Sequence, residues 1–128
     1  MADICTTDNK ELVLEVKQGE QRAYGFTIKQ DTLPMDLTNW TVNFEVKEAP
    51  YEAIKPLIAK IVSTTSDEAT QGIIYNPTGG QFKVNILAEE TLLPPYDYYL
   101  IVTLTDGQQI INISGDGNTK SIFRVCRQ

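Results

Sequence analysis

The sequence predicts an all-β fold arranged as a β-sandwich. Three observations carry that prediction. Apolar and polar residues alternate with period two along most of the chain, turn residues recur roughly every eight to fifteen positions, and no heptad, repeat or low-complexity tract competes with this pattern. The 128 residues suit one domain with one core, large enough to bury roughly two thirds of its unfolded surface without metal or disulfides. With 17 acidic against 11 basic residues, a net charge of −6 and no basic stripe, nucleic-acid binding is not expected. No apolar run approaches the roughly 18 residues a membrane helix needs, so no membrane insertion is expected. The opening residues lack the basic and apolar regions of a signal peptide, which points to synthesis and folding in a cytoplasm.

Residues 1–10 are polar and aperiodic and predict a flexible N-terminal arm, leaving 11–128 as a single sandwich domain. A first strand covers 11–17, with Leu12, Leu14 and Val16 on one face, and a turn at 18–20 leads to a second strand at 21–29, with Tyr24, Phe26 and Ile28 inward. These two are expected to pair as a hairpin. A connector at 30–39, punctuated by Pro34, precedes the cleanest alternation in the chain: Trp40, Val42, Phe44 and Val46 against Thr41, Asn43, Glu45 and Lys47. Because Trp40 is the only tryptophan, the other strands are expected to pack around it, with Trp40, Phe44 and Tyr98 as core anchors.

Pro50 breaks that ladder. Residues 54–62 fit two templates. Ile54, Leu57, Ile58, Ile61 and Val62 match a helical face, while Leu57, Ala59 and Ile61 alternate as in a strand. The short, β-branched run among strands favours the strand. After the polar loop 63–71, strands at 72–75 and 81–87 flank the glycine-bearing loop 76–80 as a hairpin, with Phe82, Val84 and Ile86 inward. At most one short helical turn, near 88–93, precedes Pro94-Pro95. The strand 96–105 is the most hydrophobic: Tyr98, Leu100, Val102 and Leu104 fill one face, and Tyr99 with Ile101 makes the other partly apolar. Asp106-Gly107 turns the chain into 109–113, residues 115–118 turn it again, and 121–125 closes the fold with Phe123 and Val125 inward.

Sites of chemistry are sparse. With no histidine there is no base for a Ser or Cys nucleophile. Acidic pairs such as Glu89-Glu90 and Asp67-Glu68 are adjacent in sequence or sit in polar stretches, as solvated carboxylates do. The stretch Gly115-Asp116-Gly117-Asn118 lacks the spaced oxygen ligands of an EF-hand, and neither a Lys-Ser/Thr pair nor a helix follows Gly79-Gly80. No zinc spacing exists, and no metal or cofactor is expected. Cys5 and Cys126 lie near opposite ends, where neighbouring first and last strands would make a bridge geometrically conceivable, but a reducing compartment favours unpaired thiols. Tyr96, Tyr98 and Tyr99 are either contact residues or include a corner tyrosine that ties the preceding loop to the strand.

One resemblance runs through these phrases. Asp36-Leu37-Thr38-Asn39-Trp40-Thr41, Gly72-Ile73-Ile74, Gly80-Gln81-Phe82-Lys83-Val84, Glu89-Glu90-Thr91-Leu92-Leu93-Pro94, Tyr96-Asp97-Tyr98-Tyr99-Leu100, Thr105-Asp106-Gly107 and a late Gly115 resemble, in order, small immunoglobulin-like domains of tailed-phage virion proteins. Among these the chain is similar to the amino-terminal domain of baseplate upper proteins. Pro95 stands where that family usually has a glycine, and the loop 63–71 is long and polar. The resemblance implies an immunoglobulin-like antiparallel β-sandwich of about seven to eight strands. It also implies a non-enzymatic structural part of a phage or prophage tail or baseplate, found in the virion after assembly in the bacterial host cytoplasm. Its expected partners are further copies of itself, other tail and baseplate proteins, or both. Tyr99 and Ile101 are the candidate interface, with edge strands adding backbone pairing; the alternative is that a loop such as 48–53 folds over this face within one chain. The alternative function is a carbohydrate- or receptor-binding sandwich, which would need Tyr51, Tyr75 and Tyr99 brought together.

Overall fold

The computed structural model describes residues 12–49, 51, 53–113 and 121–127. The expected arm at 1–10, Cys5 and the turn at 115–118 lie outside them. The described residues form strands β1 (Val13–Lys17), β2 (Arg22–Thr27), β3 (Lys29–Gln30), β4 (Leu33–Pro34), β5 (Thr41–Lys47), β6 (Ile58–Val62), β7 (Gly72–Asn76) and β8 (Gln81–Ile86), a 3-10 turn at Ala88–Thr91, and strands β9 (Tyr96–Thr105), β10 (Ile110–Asn112) and β11 (Ile122–Cys126). A six-stranded sheet runs β1-β11-β9-β5-β6 with β10 also on β9, a three-stranded sheet runs β2-β8-β7, and β3 pairs with β4. This is an all-β sandwich. It has more strands than expected, because the connector after β2 folds its own small hairpin. Asp31 and Thr32, at φ 50° and 74°, make the left-handed pair that a tight two-residue reversal needs, without a glycine to announce it.

Two pairing expectations are corrected. β1 and β2 form no hairpin, since β1 lies in the large sheet and β2 in the small one. The turn at Gln18-Gly19, with Gly19 at φ 77°, carries the chain across the sandwich, and the Tyr24 hydroxyl then reaches back to donate to the Glu15 carbonyl at 2.6 Å. Nor is the fold wholly antiparallel: β1 runs parallel to β11, its partner from the far end of the chain. The β7–β8 and β9–β10 hairpins form as read.

Outside β6 the inward faces are those the alternation predicts, and they meet in an aromatic centre. Phe26 stacks on Phe82 with ring centroids 4.8 Å apart, while Phe44 stands edge-on to both Phe26 and Phe123 at 6.5 and 6.4 Å. All four rings are fully enclosed. Phe44 and Tyr98 are buried, but Trp40 is half-buried and packs on the margin of this core. It shares the inward parity of β5 yet lies beyond the last pairing, Thr41 with Thr105, at the end of a turn closed by its own N–H on the Leu37 carbonyl. The phenylalanines, not the tryptophan, occupy the centre.

β6 resolves the ambiguous run as a strand, with a surprise in its register. Ile58, Lys60 and Val62 face inward, while Ile61 is 60 % exposed. Lys60, only 2 % exposed, is thus among the larger enclosed side chains.

Candidate interaction surface

The outer face of the six-stranded sheet is built from the alternate residues left over when the core is filled. Register places Val13, Ile122, Tyr99 and Lys47 side by side across four strands, and Ile101, Glu45 and Ala59 in a neighbouring row. Tyr99 and Ile101 therefore lie together on this face, both half-buried, with the 43 % exposed Val13 at its margin. A charged row crosses the same face. Arg124 makes a two-pronged contact with Asp97 at 2.8 and 3.3 Å and a further one with Glu15 at 3.1 Å. These carboxylates, Asp97 foremost, hold the guanidinium protonated still more firmly than usual.

One corner is covered from within the chain. Lys47 has outward parity but is buried, its ammonium 3.5 Å from the Tyr51 carbonyl and 3.9 Å from Glu45. The segment after β5 thus lies over the residue next to Tyr99. Tyr75, by contrast, is on β7 of the other sheet, so the fold does not gather Tyr51, Tyr75 and Tyr99 into one aromatic surface.

The strand edges are less open than the sequence implied. On β1 the Glu15 carbonyl accepts from Tyr24 and from Arg22, and the Lys17 N–H donates to the Glu20 carboxylate. On β6 the Ile61 N–H donates to the Gln71 side chain at 3.0 Å.

Two features had no local signal in the sequence. The first is the enclosed pair Lys60–Glu90. The Lys60 ammonium lies 2.6 Å from the Glu90 carboxylate and donates to the Thr70 carbonyl at 2.6 Å, while the same Glu90 oxygen accepts from the Leu87 N–H at 2.8 Å. Together they fasten β6, the polar loop and the 3-10 turn to one another. The second is a groove of about 360 Å³ at the end of the sandwich where β9 begins and β5 ends, lined by Glu48, Leu57, Leu93, Pro94, Pro95, Tyr96 and Tyr98. Tyr98 is the corner tyrosine: its hydroxyl donates to the Pro94 carbonyl at 2.7 Å, and its ring stands edge-on to Tyr96 at 5.2 Å. Burial raises the Tyr98 hydroxyl above the ordinary tyrosine range, with the Glu48 carboxylate adding to the effect.

Among the described residues no group of three or more His, Cys, Asp or Glu side chains is placed to hold a metal ion, and no helix is long and apolar enough to cross a membrane. Cys126 is a half-buried free thiol.

Comparison with known proteins adds two findings. A family profile described as the BppU N-terminal domain matches residues 5–92, well over half of the chain. Among solved structures, the chain is similar to one titled N-terminal domain of phage TP901-1 ORF48, with a TM-score of 0.54 at 8 % identity, spanning 98 % of this chain and 94 % of that one. At that identity the likeness is one of fold. No curated protein sequence matches.

Proposed function

Because the chain belongs to the BppU N-terminal domain family of phage baseplate proteins, we propose that it works there as a non-enzymatic assembly module whose outer sheet face meets its neighbours. Membership makes it a structural component of the phage tail or baseplate, and so of the virion. The finer reading is that Tyr99 and Ile101 contact another tail or baseplate protein, or a second copy of this chain, after folding in the host cytoplasm. The observation that carries it is the half-apolar outer face, where Val13, Ile122, Tyr99 and Ile101 adjoin on a surface that a free-standing sandwich would make polar.

Sedimentation of the wild type, alone and mixed with the proteins encoded beside it, against Tyr99→Asp and Ile101→Asp tests this. Association that both variants weaken, with circular-dichroism melts close to wild type, is the expected result. Assembly that neither variant disturbs would overturn the assignment.

A further inference from the structure

We propose that the groove at the end of the sandwich is a second docking site, separate from the Tyr99–Ile101 face, and that it takes an extended segment of a partner protein presenting an arginine beside an apolar residue. The groove is built, not incidental. Its Pro94 wall is tied to the sheet by the Tyr98 hydroxyl, the Leu93 carbonyl accepts from the Gln18 side chain at 2.8 Å, and Leu57 is held by its own N–H on the Val46 carbonyl at 2.8 Å. Such walls are already ordered before anything binds, which lowers the entropic cost of docking.

Chemistry of the lining selects the occupant. Pro94 and Pro95 have no N–H to offer, and the Leu93 and Pro94 carbonyls already accept hydrogen bonds. The proline wall is therefore a poor template for adding a strand by backbone pairing. What remains is apolar contact from Leu57, Leu93 and the prolines, the side chain of Tyr96, a residue 57 % exposed, and the single carboxylate of Glu48. Glu48 is exposed and makes no ion pair among the described residues, yet its field reaches Tyr98 on the groove floor. A negative group beside an exposed tyrosine ring fits a guanidinium, which pairs with carboxylates through a planar fork and stacks on aromatic faces. The exposed Leu57 and the prolines then accommodate the apolar neighbour. A volume of about 360 Å³ suits a side chain or two, not a folded domain.

The test uses the full-length, nitrogen-15-labelled chain and the peptide acetyl-Ala-Leu-Arg-Leu-Ala-amide, with glutamine or glutamate in place of arginine as controls. Saturable amide shifts at 48, 57, 96 and 98, with the arginine peptide binding about fivefold or more tightly than the glutamine one, are expected. Glu48→Gln should erase that preference, and Tyr96→Ala should weaken both peptides while leaving the thermal melt in place. Equal binding of the arginine and glutamate peptides, shifts elsewhere on the surface, or none at millimolar peptide would overturn the proposal. So would shifts at these amides that grow with protein concentration alone, which would mean the groove binds a second copy.

Discussion

The Lys60–Glu90 pair gives the sharpest energetic prediction. Two unit charges 2.6 Å apart attract by roughly 6 kcal/mol at an effective dielectric of about 20, and the cost of removing the ammonium from water offsets most of it. The pair is therefore close to neutral as a whole, yet expensive to break. Glu90→Gln leaves the enclosed ammonium with the Thr70 carbonyl and a neutral amide. Breaking an enclosed pair this way costs about 3–5 kcal/mol, and because the Glu90 side chain is 25 % exposed, water recovers part of that, so about 2–3 kcal/mol is expected. Lys60→Met removes the charge with its desolvation cost and nearly keeps the volume, but it leaves the Thr70 carbonyl without its lysine and the Glu90 carboxylate with water and the Leu87 N–H, so it should cost about 1–2 kcal/mol, less than Glu90→Gln. In the Lys60→Met background, Glu90→Gln should then cost less than about 1 kcal/mol, a coupling of roughly 2 kcal/mol. Urea unfolding of the four proteins measures the cycle. A Glu90→Gln loss equal in both backgrounds would refute the reasoning, because it would mean the carboxylate acts through the Leu87 N–H and not through the lysine.

Two further outcomes follow from the core. Phe44→Ala should cost about 3–5 kcal/mol and the half-buried Trp40→Ala only about 1–3, so guanidinium midpoints that rank the two in the opposite order would place the centre of the core at the tryptophan. Burial raises the hydroxyls of Tyr24 and Tyr98 above the tyrosine reference of 10.0, so their contribution to stability is whole below about pH 10 and is lost as pH climbs through the folded values. A urea midpoint that falls from pH 9 to 11.5 in the wild type, and falls less in Tyr24→Phe, is the expected profile; identical slopes would contradict it.

What the sequence revealed, it revealed by period. The inward sets of β1, β2, β8, β9 and β11 follow from alternation alone, because a face that is buried along its whole length admits only one register. Where both parities are apolar, the rule has nothing to grip. In β6 the run Leu57, Ala59, Ile61 reads as the better apolar face, yet Ile58, Lys60 and Val62 turn inward, since a lysine with a carboxylate and a carbonyl waiting for it is a tolerable core residue. That carboxylate is 30 positions away and gives no local sign. The groove is invisible for the same reason, as Glu48, Leu57 and Tyr96 meet only after three strands have paired. Adjacency in sequence favours a hairpin across the Gly19 turn, and nothing local reveals that the chain changes sheets there.

The edges of the large sheet bear on how such a module associates. An open edge is a template for indiscriminate strand addition, and proteins commonly close it with inward charges or borrowed hydrogen bonds. Both devices are present. Lys60 points inward from the edge strand β6, and Gln71 occupies the outward N–H of Ile61, while on β1 the Glu15 carbonyl and the Lys17 N–H are taken by side chains of the turn and strand that follow. With these backbone groups engaged, strand addition is hindered at part of each edge. That leaves side-chain surfaces to specify a partner, which supports the two proposed contacts, one at the sheet face around Tyr99 and Ile101 and one at the end groove.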